Sequence, residues 1–178
     1  MTTLPAVEMP LCRALNRWGA QRVVHGIFAA ASRLGDGVFW YALMLALPLV
    51  DGWRGAIVST ELAATGLVSL AIYRLLKRWI RRPRPYASHN GIIARIPPLD
   101  QFSFPSGHTL HAVAFSAIAC AWYPVLAPIL VPFSILVALS RVVLGLHYPS
   151  DVAAAIAIGS LLAAGSLAMA VLLGAFPA

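Results

Sequence analysis

The feature that most restricts the fold of this chain is a series of apolar runs that approach the thickness of a lipid bilayer. The clearest run, residues 56–76, has 21 residues. At 1.5 Å per residue it would form about 32 Å of helix, which matches the ~30 Å hydrocarbon core of a bilayer. Further runs cover residues 38–50, 108–123, 125–145 and 152–173. The pattern predicts an all-α integral membrane helix bundle with about five transmembrane helices.

The composition is typical of a membrane domain. Only 11% of the residues are charged and 60% are hydrophobic, whereas a soluble domain carries about 25% charged residues. The net charge is +7, but the basic residues cluster at the ends of apolar runs, where they meet lipid headgroups or an anionic substrate. We therefore expect a single membrane-embedded domain over residues 1–178, with the membrane as a partner and no nucleic acid.

The N-terminal segment, residues 1–35, is predicted to be amphipathic. Apolar positions at helical spacing predict a helix over residues 11–34, which the sequence Gly35-Asp36-Gly37 ends. Four arginines make it costly for this helix to cross a membrane: Arg13, Arg17, Arg22 and Arg33. Two alternatives follow, a helix along the membrane interface and a basic helix packed on the rest of the protein.

A long polar connection, residues 77–104, separates the second and third predicted crossings. Its prolines forbid a continuous helix, and a loop of this length in a compact domain is usually functional. Counting the crossings places three clusters on the same membrane face, at residues 77–84, 106–108 and 141–151. We expect these clusters to form one site.

The clusters carry groups that suit a phosphate. Lys77 supplies a point charge, and Arg84 and Arg141 supply planar forks that match phosphate oxygens. Ser106 and Gly107 suit the start of a helix, where the first backbone N–H groups lack partners and attract anions. Other basic side chains nearby favour a simpler interpretation as membrane anchors: Arg78, Arg81 and Arg82.

The third cluster and His108 add proton-transfer chemistry. His108 is able to protonate a leaving-group oxygen. His147 precedes Asp151 by four residues, so that a helix starting near Pro149 would let the carboxylate orient the imidazole and raise its basicity. Simpler alternatives are a half-buried His108 after a serine helix cap, and an Asp151 charge that interacts with the helix dipole.

Other polar residues in the apolar runs have structural interpretations. His108 and His111 share a helix face, but no neighbouring Cys, Glu or Asp completes a metal-ligand set, so no metal or cofactor is expected. Glu61 lies near the end of its run that is opposite the basic clusters, and we expect a hydrogen-bonded structural role for it. Cys12 and Cys120 supply no disulfide or metal framework.

Together the clusters resemble the signature of the type-2 phosphatidic acid phosphatase family, which vanadium haloperoxidases and some bacterial acid phosphatases share. The family pattern is Lys, six residues, Arg-Pro; then Pro-Ser-Gly-His; then Ser-Arg, five residues, His, three residues, Asp. The corresponding elements here are Lys77 with Arg84-Pro85, Pro105-Ser106-Gly107-His108, and Ser140-Arg141 with His147 and Asp151. The match covers residues 77–151, and three ordered elements are far more specific than any one.

The resemblance implies a metal-independent phosphatase that acts on a lipid phosphate or diphosphate, of the polyprenyl diphosphate, phosphatidic acid or phosphatidylglycerol phosphate type. It implies that His147, oriented by Asp151, forms a phosphohistidine and that His108 protonates the departing oxygen. The implied phosphate-binding residues are Lys77, Arg84, Ser106, Gly107 and Arg141.

Two alternative functions use the same residues differently. A lipid phosphotransferase would pass the phosphoryl group from the same phosphohistidine to another lipid. A non-enzymatic anionic-lipid-binding protein would explain the basic face but not its two histidines and Asp151. The expected location is a bacterial inner membrane, crossed several times. The resemblance suggests a periplasmic active site. The membrane face that carries the three clusters has an excess of arginine, however, and this indicates a cytoplasmic active site.

Overall fold

The computed structural model describes residues 3–175, with side chains from residue 7 onward, and its regular secondary structure in this range is helical. The α-helices, in chain order, are α1 (Thr3–Trp18), α2 (Arg22–Arg33), α3 (Phe39–Ile80), α4 (Pro85–Ser88), α5 (Gly107–Trp122), α6 (Ala127–Val143) and α7 (Pro149–Leu172). A π-helical turn, Leu34–Val38, joins α2 to α3, and a 3₁₀ turn, Pro124–Leu126, precedes α6. The all-α prediction is confirmed.

Helix α3 is a hairpin with a first arm (residues 39–50) and a second arm (residues 53–80). Gly52 has a φ of +53° and breaks the helix between the arms. The Ser59 hydroxyl donates to the Met44 carbonyl at 2.7 Å, although a straight helix would hold residues so far apart in the chain at about 22 Å. The arms are therefore antiparallel, as the two separate apolar runs predict.

The N-terminal segment forms two helices, so the prediction of one helix over residues 11–34 is wrong. α1 ends at Trp18, and α2 begins at Arg22. The cause is a tertiary contact: the Asn16 side chain donates to the carbonyls of Ile93 at 3.0 Å and Val143 at 3.1 Å. These bonds hold the end of α1 against the polar loop and α6, and the chain turns there.

Both N-terminal helices pack on the rest of the protein. Their inward side chains are buried: Met9, Cys12, Val24 and Phe28. Packing of this basic segment against the protein is thus observed, and its place along the membrane interface stays a prediction.

Helix α5 lies at the centre of the bundle and contacts α3, α6 and α7. Trp40, Leu62, Phe115 and Val137 belong to the buried core around it. Other large apolar side chains point outward and are exposed, including Leu45, Leu49, Leu161 and Leu172. A bundle surrounded by lipid requires an apolar outer surface. Its backbone polar groups are already paired inside the helices and need no partner from the lipid. Among residues 3–175, three helical stretches are long and apolar enough to cross a membrane: Arg22–Ile80, Pro124–Val143 and Pro149–Leu172.

The carboxylate of Glu61 is tied into the core near the hairpin end of the bundle. It accepts hydrogen bonds from Trp122 Nε1 at 2.7 Å and Ser166 Oγ at 2.8 Å. The expectation of a hydrogen-bonded structural role is confirmed.

The polar loop folds over the opposite end of the bundle, where α3 and α6 end and α5 and α7 begin. The Ser103 amide donates to the Arg82 carbonyl at 2.8 Å, and the Arg95 amide donates to the Leu144 carbonyl at 3.1 Å. The Ser106 amide donates to the Asp151 carbonyl at 3.3 Å, which joins the starts of α5 and α7. The three predicted clusters therefore lie at the same end.

Candidate active site

A cavity of about 770 Å³ opens at this end of the bundle. Six of the eight predicted site residues line it: Lys77, Arg84, Gly107, His108, Arg141 and His147. The other two, Ser106 and Asp151, are fully buried. The structure thus brings together residues that lie up to 74 positions apart in the chain, and their catalytic roles stay predictions.

His147 lies in the connection between α6 and α7 and is 2% exposed. Its Nε2 is 3.2 Å from an Arg84 guanidinium nitrogen, which also donates to the Leu146 carbonyl at 2.9 Å. Burial, and then the positive charges of Arg141 and Arg84, hold the pKa of the imidazole well below its ordinary value. His147 is therefore neutral near pH 7, with a nitrogen lone pair next to an anion-binding guanidinium.

Asp151 is close to His147 but does not form the expected hydrogen bond. Its Oδ2 is 3.6 Å from His147 Nδ1, which is too long for one. Oδ2 instead accepts from the Tyr148 amide at 2.9 Å, and Oδ1 accepts from Arg82 at 2.7 Å. The carboxylate thus caps the start of α7, as the simpler alternative has it, and its role in orienting His147 stays a prediction.

Arg82 is part of this arrangement, so its interpretation as a membrane anchor is wrong. Its guanidinium pairs with Asp151 at 2.7 Å and with Glu8 at 2.9 Å. It also lies 3.9 Å from the centre of the Tyr148 ring. A basic residue beside a proline gave no signal of these partners, because both carboxylates are about 70 positions away in the chain.

Asp100 joins the two cations of the first cluster, and sequence reasoning missed it. Its Oδ2 is 2.6 Å from Lys77 Nζ, and its Oδ1 is 2.9 Å from Arg84. Partial burial opposes ionisation, but the hydrogen bond and charge of Lys77 prevail and hold the Asp100 pKa below its ordinary value. The carboxylate lines the cavity and pairs with the two cations that would otherwise bind a phosphate.

The start of α5 follows the predicted capping pattern. The Ser106 side chain accepts from the Thr109 amide at 3.5 Å, and the two hydroxyls are 2.9 Å apart. Ser106 is therefore a helix cap in this structure, whereas Gly107 faces the cavity. His111 is turned onto its own helix, with Nδ1 2.8 Å from the Gly107 carbonyl. Within residues 3–175, no group of three or more His, Cys, Asp or Glu side chains is arranged to hold a metal ion.

The segment before α3 supplies two further groups that the sequence motifs do not contain. Ser32 hydrogen-bonds a guanidinium nitrogen of Arg141. Asp36 Oδ1 is 3.3 Å from His108 Nε2. Arg141 is 2% exposed, and its Nε has no hydrogen-bond partner in the described part of the chain. A buried unpaired donor needs an acceptor, and an anion in the cavity would supply one.

A sequence model of a known family covers most of this arrangement. The model of the PAP2 superfamily matches residues 58–174, which include all three clusters. The chain belongs to the PAP2 superfamily. The resemblance inferred from the motifs is therefore confirmed.

Curated relatives match a similar region. A decaprenylphosphoryl-5-phosphoribose phosphatase of Mycobacterium tuberculosis strain H37Rv is 40% identical over 98 residues, covering 54% of this chain and 52% of the relative. A lipid A 1-phosphatase of Rhizobium etli is 36% identical over 115 residues, covering 62% and 48%. The chain thus spans about half the length of these relatives.

Two solved structures share the fold. A transmembrane PAP2-type phosphatidylglycerolphosphate phosphatase from Bacillus subtilis superimposes with a TM-score of 0.78 at 21% identity, covering 95% of this chain and 87% of the other. LpxE from Aquifex aeolicus has a TM-score of 0.78 at 23% identity, covering 90% and 94%. Together with the apolar stretches, these matches confirm a multi-pass membrane helix bundle; the number of crossings stays a prediction.

Proposed function

We propose that this chain is a lipid phosphate phosphatase that removes a phosphate group from a lipid phosphate or diphosphate without a metal ion, through a phosphohistidine on His147. The observation that supports it best is the mixed lining of the cavity. Lys77, Arg84 and Arg141 contribute cations to this lining, and Trp40 and Leu67 are among the apolar side chains that complete it. Such a lining suits an amphiphile, with its phosphate on the cations and its chain toward the bundle.

The substrate class follows from the same lining and from the relatives. The names of the two curated phosphatases specify a polyprenyl-linked sugar phosphate and lipid A, and another relative is an undecaprenyl-diphosphatase of Bacillus subtilis, 34% identical over 110 residues, covering 62% of this chain and 51% of that protein. All are anionic headgroups on apolar chains. We propose a substrate of the polyprenyl diphosphate, phosphatidic acid or phosphatidylglycerol phosphate type.

The mechanism begins with a phosphoryl group bound to Arg84. Because that guanidinium is 3.2 Å from His147 Nε2, the phosphorus would lie near the neutral nitrogen, in the geometry that makes attack effectively unimolecular. The P–N bond forms as the P–O bond to the leaving group breaks, an ester bond in a monophosphate and an anhydride bond in a diphosphate. His108 gives a proton to the departing oxygen. Lys77 and Arg141 stabilise the charge that develops on the phosphoryl oxygens.

In the second step, water attacks the phosphohistidine. The water oxygen forms a bond to phosphorus and gives a proton to the now neutral His108, while the P–N electron pair returns to His147 Nε2. Phosphate leaves, and both histidines regain their starting states. The N-terminus of α5 at Gly107, with its unpaired N–H groups, favours the anion throughout.

The test is phosphate release by the detergent-purified protein, in the presence of a chelator, from a panel of lipid monophosphates and diphosphates. His147→Ala should lower kcat by more than about a thousandfold, as loss of a catalytic nucleophile does, and should abolish acid-labile labelling of the protein by radioactive substrate. His89→Ala, which changes a histidine outside the cavity lining, is the matched control.

Each outcome bears on a separate part of the proposal. Phosphate release that survives His147→Ala would overturn the phosphohistidine, and activity that needs added metal would overturn metal independence. Label recovered on an added lipid acceptor, and not as inorganic phosphate, would identify a phosphotransferase.

A further inference from the structure

The π-helical turn before α3 directs a carboxylate into the cavity. Gly37 has a φ of +128°, a conformation that L-residues rarely adopt. Gly35 packs so closely on α6 that a Cβ there would be 2.8 Å from the Val137 side chain. Between these glycines, Asp36 lines the cavity with a side chain that is 44% exposed. The turn thus has the features of a segment shaped to present this residue.

The carboxylate of Asp36 meets the proposed proton donor. Its Oδ1 is 3.3 Å from His108 Nε2, and it forms no other side-chain ion pair or hydrogen bond with described residues. The charged groups that act most strongly on His108 are otherwise basic. They are Lys77 from α3, Arg141 from α6, His147 from the connection before α7, and His111 from the same helix. These charges disfavour the proton that a general acid must carry, and the Asp36 carboxylate next to Nε2 opposes them.

We propose that Asp36 is a positioning residue that holds His108 as the proton donor of the reaction, an inference that rests on the proposed phosphatase function. Asp36 stabilises the imidazolium through Nε2–H, which leaves Nδ1–H for the substrate. As the P–O bond breaks, the Nδ1 proton moves to the leaving oxygen. When water attacks the phosphohistidine, a proton returns from water to Nδ1. Asp36 gains and loses no proton in the cycle.

This assignment adds a residue that the family match does not contain. The matched region begins at residue 58, whereas Asp36 belongs to the preceding segment. A helix-terminating Gly-Asp-Gly has an ordinary explanation as a turn, and the explanation is incomplete here because the carboxylate contacts a histidine 72 positions later in the chain.

A double-mutant cycle with Asp36→Asn and His108→Ala tests the proposal on a lipid phosphate substrate. Asp36→Asn alone should lower kcat by about ten- to a hundredfold, part of the 10²–10⁴ that general acid catalysis supplies, with a smaller change in KM. In the His108→Ala background it should have less than about a twofold effect, because residues that act through one another are not additive. Asp36→Glu should restore part of the activity.

The pH profile supplies a readout that a structural role would not move. The Asp36 carboxylate favours protonated His108, so Asp36→Asn should shift the alkaline limb of kcat toward lower pH. A series of aryl phosphates with increasingly acidic leaving groups supplies a second readout. The loss of kcat/KM in Asp36→Asn, which reports the first chemical step, should become smaller along the series. The reason is that a good leaving group needs no proton.

Asp51→Asn is the matched control, since Asp51 lies in the hairpin turn at the other end of the bundle, where it accepts from Tyr123. Equal losses from Asp36→Asn with and without His108 would show a structural role and overturn the proposal, as would unchanged kcat and pH profile in Asp36→Asn. A wild-type protein that releases phosphate from no lipid would instead refute the proposed function.

Discussion

Gly159 sets the distance between α5 and α7, and adding a single methyl group should disturb both stability and the site. A Cβ at this position would be 2.7 Å from the Leu110 carbonyl oxygen and 3.2 Å from Val113 Cβ. Real Cβ atoms stay at least 3.0 Å from such backbone atoms, so the helices must separate by at least about 0.3 Å in Gly159→Ala. Overpacking of this kind typically costs about 1–3 kcal/mol.

The same helix offers a control for the helix propensity of alanine. Gly165 in α7 is exposed, and a Cβ there would meet nothing within 4 Å. Gly165→Ala should stabilise the protein by about 0.5–1 kcal/mol, because alanine loses less backbone entropy in a helix. Gly159→Ala gains the same propensity term but also suffers the clash. The two variants should therefore differ by about 1–3 kcal/mol in their free energies of unfolding.

Thermal unfolding in detergent measures this difference. For a chain of this size 1 kcal/mol corresponds to roughly 2–4 °C, so Gly165→Ala should melt several degrees above Gly159→Ala. Phosphate release should fall several-fold in Gly159→Ala only, because the starts of α5 and α7 carry Gly107, His108 and Asp151, and small misplacements of reacting groups are costly. Equal melting temperatures and equal activities for the two variants would refute close packing at Gly159.

Three further perturbations address the charges at the site. Arg82→Ala should destabilise the protein by about 3–5 kcal/mol, because it leaves the buried Asp151 carboxylate without its cation. Thermal unfolding measures the loss, with Arg13→Ala, which changes an exposed arginine of α1, as the control. Similar losses of stability in both variants would contradict this prediction. The lowered pKa of His147 means that the unfolded chain binds this proton more readily, so the free energy of unfolding should fall as the pH drops below about 6.5. His147→Asn should flatten that fall in unfolding scans from pH 5 to 8, and an unaltered slope would count against the buried neutral imidazole. Asp100→Asn should lower the inhibition constant of inorganic phosphate about tenfold, because phosphate then no longer has to displace one charge-assisted contact. An unchanged inhibition constant would contradict competition between Asp100 and phosphate for the two cations.

The residues of the motif could be predicted from the sequence because their spacing carries local structural information. Pro149 and Asp151 indicate a helix start, and Ser106-Gly107 indicates another. The count of apolar runs then places both starts at the same end of the bundle. These are short-range or periodic signals, and the structure agrees with them.

The carboxylates that act on the motif carried no such signal. Asp36 and Asp100 lie in turns where a polar residue is ordinary, and their partners are set by how separate segments pack. The break between α1 and α2 has the same origin, since hydrogen bonds of Asn16 to distant carbonyls override a helical apolar pattern. Tertiary contacts of this kind leave no periodicity in the chain.

The contact of Ser32 with Arg141 has an evolutionary consequence. Arg141 belongs to the region that the superfamily shares, whereas Ser32 lies in a segment outside it. A substitution at Ser32 would thus change how firmly a shared arginine is held without touching the shared motif. Proteins with the same motif are therefore able to differ in the hold on this arginine through residues that precede the matched region.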